Sequence, residues 1–152
     1  MHNAHEMDEL GSILLELAGI VNRPDRDDLL LAEAGVSLDR ALFPHLVRLS
    51  VRGPTAVAEL AADAGRDHTT VSRQLAKLET LGLIWRPQAQ GDARTRPAAL
   101  TPQGEAIAEA IKSARRRLLS KALAGWSAAD RRTLVRLNRR FVDSLLSGFQ
   151  AG

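Results

Sequence analysis

The stretch from Thr55 to Thr101 constrains the fold of this chain most, because two helical segments and a hairpin follow one another there. Thr55 is predicted to cap a first helix that runs to about Asp63, and Gly65 supplies the turn after it. A longer helix follows, and Gly82 ends it. The inner positions of the first helix are Val57, Leu60 and Ala61. A short helix, a glycine turn and a longer helix predict a helix-turn-helix unit.

The second helix has a polar outer face. Asp67 is predicted as its N-cap, because a carboxylate accepts from the free N–H groups of the first turn and favours the positive end of the helix dipole. An inward stripe runs at helical spacing through Val71, Leu75 and Leu78. The side chains expected to contact bases or phosphates are His68, Thr69, Thr70, Ser72, Arg73 and Lys77.

This outer face matches the chemistry of duplex DNA. Arg73 can donate a fork of hydrogen bonds to guanine O6 and N7, whereas Lys77, farther along the helix, is better placed for a backbone phosphate. The hydroxyl groups of Thr69, Thr70 and Ser72 can bond to either. Any exposed helix also presents a polar surface, so the neighbouring segments are needed before DNA binding is favoured.

The neighbour on the C-terminal side is a basic hairpin, predicted from strands at residues 83–86 and 95–100. Its loop carries Arg94, flanked by Arg86 and Arg96, and a guanidinium group there can enter the narrow minor groove. Asp92 would be a poor DNA ligand and is expected to shape the loop by accepting hydrogen bonds. A solvated surface hairpin is the alternative. With this hairpin, the wing, the unit becomes a winged helix-turn-helix, which holds duplex DNA in two grooves.

Several segments of this stretch together resemble the DNA-binding domain of the MarR family of bacterial and archaeal transcription regulators. They are residues 60–61, 67–73, 78–79, 81–84, 92–94 and 100–104. The resemblance implies an obligate homodimer, built from helices at both chain ends, that binds a short inverted repeat of double-stranded DNA. It also implies a small-molecule effector pocket near the domain junction, lined by His45, Arg48 or Trp126, although packing or surface roles are the alternative for these three side chains.

Arg66 departs from the family pattern, and so do Arg96, Pro97 and Ala98, which occupy a strand that is normally richer in β-branched residues. Arg66 stands where the family usually has an apolar residue, so its stem must lie along the core while its head reaches water or phosphate. Pro97 cannot donate to a strand ladder, which predicts a short or frayed second wing strand.

The N-terminal part of the chain is predicted to be helical. One helix covers about residues 8–21, and another covers residues 27–34. A third begins at Ser37 or Asp39 and closes before Gly53-Pro54. His2 and His5 are expected to precede the first helix, in a disordered end.

The C-terminal part is predicted to hold two more helices. Thr101 caps one that starts with Pro102 and runs to about Leu123, with the charged run Arg115 to Arg117 on its solvated flank. Ser127 opens a capping box for the last helix. That helix carries two apolar stripes where a surface helix needs one, so its extra face is expected to pack against a second copy of the chain. The stripes are Leu134, Leu137, Phe141 and Leu145 beside Val135, Val142 and Leu146.

The predicted fold class is therefore mainly α with a small β-hairpin wing: a winged helix-turn-helix plus a helical dimerisation region. Residues 37–101 form the DNA-binding domain, and residues 1–36 and 102–152 form the helical dimerisation segments of one compact protomer.

The composition excludes several function classes. The chain has no cysteine, so disulfides, thiolate zinc sites and cysteine nucleophiles are impossible. Its histidines are isolated or terminal, and no catalytic constellation is recognisable, so no metal site, cofactor or enzyme activity is expected. No apolar run is long enough to span a bilayer and no secretion signal begins the chain, so a cytoplasmic location is expected.

The predicted function is a sequence-specific DNA-binding transcriptional regulator, a repressor that binds an inverted-repeat operator as a homodimer and is released by a small molecule. A two-fold dimer would present its recognition helices about 34 Å apart, one turn of DNA. The alternative is a winged-helix module for protein–protein interaction, which nearby acids neutralising the positive helix face would favour.

Overall fold

The computed structural model describes residues 2–87 and 96–150, which form a mainly helical structure with a small antiparallel sheet, and this confirms the predicted fold class. The elements in chain order are α1 (His2–Val21), α2 (Pro24–Ala34), α3 (Phe43–Arg52), β1 (Thr55–Ala56), α4 (Val57–Ala64), α5 (His68–Thr80), β2 (Ile84–Trp85), β3 (Pro97–Leu100), α6 (Pro102–Ala122) and α7 (Ala128–Gln150). The chain divides into two compact units, one up to Arg115 and one from Arg116 onward.

The main core of the first unit lies under the helix-turn-helix. The inward side chains of α4 and α5 pack there together with α3 and the sheet. The predicted stripe on α5 is confirmed, because its three members are completely buried. The core residues are Leu42, Leu46, Leu49, Val57, Leu60, Ala61, Val71, Leu75, Leu78, Leu83, Ile84 and Ala98.

The predicted turns around α5 are also confirmed. Gly65 follows α4 with a φ of 62°, and Gly82 follows α5 with a φ of 76°, conformations that glycine adopts without strain. The backbone N–H groups of Arg66 and Leu83 donate to Ala61 and Leu78, one turn back in the preceding helices. Each glycine thus ends its helix while the last carbonyl groups stay hydrogen-bonded.

The sheet has three strands, in the order β1-β3-β2, rather than the two predicted. Thr55 pairs with Ala98 and does not cap α4; its hydroxyl donates to the carbonyl of Gly53 at 2.9 Å, and α4 begins after Ala56 without a side-chain cap. The prediction was wrong here because the position before α4 is used by the sheet. Pro97 is the first residue of β3, where the missing N–H costs least, and β3 is four residues long.

Three predicted helix starts in the N-terminal part were wrong. α2 begins at Pro24 rather than at residue 27. α1 begins at His2 rather than at residue 8, so His5 lies within the helix instead of in a disordered end. α3 begins at Phe43 rather than at Ser37 or Asp39. The Asp39 carboxylate instead accepts from the N–H of Ala41 at 2.9 Å in a turn, and Pro44 then stands in the first turn of α3, where proline is tolerated.

The N-terminus of α6 is fixed as predicted. Thr101 accepts from the N–H of Gly104 through its hydroxyl at 3.1 Å, and Pro102 opens the helix. A Cβ on Gly104 would lie 2.0 Å from the carbonyl oxygen of Leu83, so only glycine lets α6 approach the end of the helix-turn-helix this closely. The helix ends at Ala122, one residue before the predicted end.

The terminal helices expose large apolar side chains. No residue of α7 is buried, and Val135 is 70% and Phe149 81% exposed. The predicted cap of α7 is confirmed, since Ser127 accepts from the N–H of Asp130 at 3.0 Å. In α1, Leu15 is 77% and Val21 61% exposed. Among the residues described, no helix is both long and apolar enough to cross a membrane.

Candidate nucleic-acid interface

The first turn of α5 is built around Asp67. Its carboxylate accepts from the backbone N–H of Thr70 at 3.3 Å and also from the Thr70 hydroxyl. The hydroxyl bond is the main reason that the pKa of Asp67 lies below its ordinary value, so the carboxylate stays charged at the N-terminus of the helix. Thr70 was predicted as a DNA contact. In the structure its hydroxyl donates to the Asp67 carboxylate, and its contact with DNA stays a prediction.

The remaining predicted contacts on α5 leave their side chains accessible. His68, Thr69, Arg73 and Lys77 are exposed, and Ser72 is half-buried. The side chains of Arg73 and Lys77 make no hydrogen bond or ion pair within the described structure. The face opposite the buried stripe therefore presents two free cations and the hydroxyl of Thr69 to an incoming ligand.

One polar side chain of α5, Gln74, is hydrogen-bonded to a buried residue of α3. Gln74 accepts through Oε1 from Nε2 of His45 at 2.6 Å, which ties α5, the recognition helix, to α3. His45 is only 2% exposed, and its Nδ1 is buried without a partner among the described residues. Burial is the main cause that lowers the pKa of His45 below its ordinary 6.5, and it outweighs the opposing effect of Gln74. The neutral imidazole is therefore the favoured form.

Arg86 and Arg96 brace the base of the wing. Arg86 donates to the carbonyl oxygens of Pro97 at 3.3 Å and of Arg96 at 3.0 Å, and Arg96 donates back to the carbonyl of Arg86 at 3.1 Å. Burial and the neighbouring Arg96 lower the pKa of Arg86. The structure gives these two guanidinium groups a role at the base of the wing, and the predicted contact of both with DNA stays a prediction.

The tip of the wing lies outside the described residues. The predicted minor-groove residue Arg94 and the predicted loop-shaping residue Asp92 both fall within residues 88–95. Both roles remain predictions.

A cavity of about 430 Å³ lies beside His45 in the first unit. Arg40, Arg48 and Arg66 contribute to its wall together with Gln74 and Asp27. Two of the three predicted effector-pocket residues, His45 and Arg48, thus line one cavity. The third, Trp126, lies in the second unit, where it is 45% exposed and its carbonyl accepts from Arg131. The side chain of Arg66 is exposed, so this departure from the family pattern does not enter the core.

Comparison with known proteins identifies the family. The model of the MarR family matches residues 38–95, which contain the helix-turn-helix and the first strand of the wing. The chain is also 32% identical over 111 residues to the HTH-type transcriptional regulator YxaD of Bacillus subtilis, covering 70% of this chain and 78% of that protein. This chain belongs to the MarR family. As a member it is a transcriptional regulator and not an enzyme.

A second relative covers more of the chain. An HTH-type transcriptional repressor of Mycobacterium tuberculosis is 32% identical over 124 residues, which are 82% of this chain and 87% of that protein. The MarR assignment therefore extends beyond the winged helix-turn-helix to most of the chain.

Solved structures of the family share the fold. A MarR family protein from Bacillus stearothermophilus superposes with a TM-score of 0.81 at 21% identity and covers 94% of this chain and 97% of its own. A MarR family transcriptional regulator from Listeria monocytogenes, solved in complex with a 26mer DNA, has a TM-score of 0.62 at 22% identity, with coverage of 91% and 87%. At these identities the likeness concerns the fold.

Sequence reasoning missed two features that position the site. Gln74 lies between the buried stripe and the exposed face of α5, and nothing in its spacing indicates the bond to His45. The tight approach at Gly104 depends on a carbonyl of a distant residue, Leu83. A glycine inside an otherwise regular helix was the only sequence signal for it.

Proposed function

We propose that this MarR family regulator is a sequence-specific repressor that binds an inverted-repeat operator as a homodimer. The observation that carries the proposal is the division of α5 into a fully buried stripe and an outer face with Thr69, Arg73 and Lys77 free. Arg73 is the side chain suited to guanine, and Lys77 to a phosphate. The wing, through Arg94, would enter the adjacent minor groove, held at its base by Arg86 and Arg96.

The homodimer is supported by the apolar surface of the terminal helices. α7 has no buried residue, although half of its circumference is apolar. Large exposed apolar faces of this kind mark association surfaces. A second copy of the chain is the proposed occupant, and α1 and α7 supply the interface. Two-fold symmetry then requires two recognition helices and a palindromic site.

The names of two similar proteins are consistent with repression and with DNA binding, both of which remain proposals for this chain. The Mycobacterium tuberculosis relative is named a repressor, and the Listeria monocytogenes neighbour was solved in complex with a 26mer DNA. Because the proposed target is chromosomal DNA, the proposed site of action is the cytoplasm.

Release by a small molecule is the proposed mode of regulation. The cavity beside His45 is the candidate effector site, since His45 also holds Gln74 on the recognition helix. A ligand that displaces His45 would remove the bond between α3 and α5. The orientation of the recognition helix would then change relative to its support.

The test uses purified full-length protein and fragments of the genome that contain its own promoter. Footprinting should reveal a protected inverted repeat, and scrambling one half-site should weaken binding by at least tenfold, because only one recognition helix then finds its bases. Equal affinity for the intact and the scrambled repeat would contradict the proposal. The absence of any salt-dependent binding to the DNA fragments would instead favour a protein-interaction module.

A further inference from the structure

The positive charge of this chain is concentrated near its C-terminus. The formal net charge is +3, but residues 112–140 hold ten lysines and arginines and a single acid, Asp130. Residues 1–111, which include the winged helix-turn-helix, hold eleven basic and sixteen acidic residues. The winged helix-turn-helix, residues 37–101, holds nine basic and six acidic residues, so the larger surplus of positive charge lies outside the segment that would contact the operator.

Helix α7 gathers much of this charge on one side. A helix turns by about 100° per residue, so Arg132, Arg136, Arg139 and Arg140 fall within about one quarter to one third of its circumference. We call these four residues the α7 arginine face. The apolar side chains of α7 occupy a separate arc of roughly half the circumference. A dimer formed through the apolar arc would leave the arginine face uncovered.

Three members of the α7 arginine face have no partner in the part of the chain that the structure describes. Arg139 pairs with Asp143 at 2.9 Å, one turn farther along. Arg132, Arg136 and Arg140 are exposed and make no side-chain hydrogen bond or ion pair with any described residue. Their charges are thus available to a polyanion.

We propose that the α7 arginine face is a second DNA-binding surface, which holds a non-operator duplex through its phosphates. Arg132, Arg136 and Arg140 recur every four residues, about 6 Å along the helix axis, a row of donors that can follow one strand of phosphates. Guanidinium groups bind phosphate bidentately and stay charged at every physiological pH. The row consists of arginines alone and lacks the mixed hydrogen-bond donors and acceptors of α5. Its binding to phosphates is therefore independent of the base sequence. The proposal rests on the DNA-binding role of the protein but not on Arg73.

Duplex DNA is favoured over other polyanions because the protein already acts on DNA as a transcriptional regulator. The segment before the winged helix-turn-helix, residues 1–36, holds two basic and eight acidic residues and repels the phosphate backbone at long range. A basic surface elsewhere on the same molecule offsets that repulsion and retains the protein on DNA while it searches. If this surface held a second duplex, one dimer would bridge two DNA segments.

The experiment measures binding of a labelled non-operator duplex to full-length protein that is already saturated with unlabelled operator. Wild-type protein should bind it with a strong dependence on salt. Arg132→Gln/Arg136→Gln should weaken this binding at least tenfold at low salt and should reduce the slope of log affinity against log salt by about 2. Arg23→Gln/Arg26→Gln removes the same charge from exposed positions of the loop before α2 and of α2 itself, and it should leave the slope unchanged.

Three results would overturn the proposal. One is an unchanged salt slope in the α7 variant. Another is dissociation of that variant to monomers in light scattering, which would show that the arginines pair with a second copy. The third is capture of anionic phosphatidylserine vesicles with no binding of duplex. An Arg73→Ala background separates this proposal from the operator proposal, because the two α7 changes should still reduce the salt slope of non-operator binding by about 2 there, even if operator recognition fails.

Discussion

His45 is the buried titratable side chain with the most direct connection to the recognition helix. Its folded-state pKa lies below 6.5, so the unfolded chain takes up a proton at a higher pH than the native protein does. The contribution of neutral His45 to the free energy of unfolding is therefore present above pH 6.5 and is lost as the pH falls from 6.5 toward the native pKa.

We expect this loss to be visible by comparison with His45→Gln. The free energy of unfolding of the wild type should fall between pH 7.5 and 5.5 relative to that of the variant, measured by urea denaturation at each pH. Parallel curves for the two proteins would show that His45 does not titrate differently in the native and unfolded states.

Gly104 gives a second prediction at single-residue scale. Alanine there would place a Cβ against the carbonyl of Leu83, and the forced separation should lower the free energy of unfolding by about 1–3 kcal/mol, despite alanine's better helix propensity. Gly19→Ala is the matched control, since it lies in helix α1 with no atom within 4 Å of the added Cβ. That variant should gain up to about 1 kcal/mol. If both substitutions changed the free energy of unfolding by the same amount in thermal or urea denaturation, the close approach of Gly104 to Leu83 would be refuted.

The wing is the element whose construction departs most from expectation. Its base is held by guanidinium-to-carbonyl bonds as well as by the short pairing of β2 with β3. Arg86→Lys keeps the charge but cannot span both carbonyl groups, so we expect a loss of about 1–2 kcal/mol in stability.

Arg86→Lys should also weaken DNA binding to the same extent for all operator sequences, because the wing is misplaced and no base contact is lost. Affinity measured on the operator and on single-base variants checks this. A selective loss at one base pair would show that Arg86 contacts a base directly, as predicted from the sequence.

Strong local signals account for the elements that could be predicted from the sequence. The buried stripe of α5, the Asp67 and Thr101 caps and the glycine turns each depend on residues within one or two helical turns. β1 was missed because two residues carry no periodicity, and its partner, β3, lies some 40 residues away. The hydrogen bonds from Arg86 to backbone carbonyl groups were missed for a similar reason. The fold brings these acceptors close to Arg86, and the sequence does not indicate which backbone carbonyls lie within reach of a side chain. The residues on the outer face of α5 could be predicted from helical spacing, but the hydrogen bond from the Thr70 hydroxyl to Asp67 could not.

At the scale of the whole molecule, the exposed apolar arcs of α1 and α7 predict association. Light scattering at micromolar concentration should give the mass of a dimer. Leu145→Asp places a charge in the apolar arc of α7, where Leu145 is 43% exposed in the single chain, and should yield monomers that still fold. Ser147→Asp is the control, because Ser147 is an exposed polar residue of the same helix that lies outside the apolar arc. A wild-type monomer would contradict the dimer and the inverted repeat together.

The base preference of the Arg73→Ala protein tests the central claim most directly, namely that the outer face of α5 contacts operator bases. Affinity is measured for the operator and for every single-base change in one half-site, with Lys77→Ala measured beside it. We expect Arg73→Ala to lose about 1–3 kcal/mol of discrimination at one guanine position. Lys77→Ala should weaken all sequences alike and reduce the salt slope by about 1. An unchanged base preference in Arg73→Ala would contradict this account of the recognition helix.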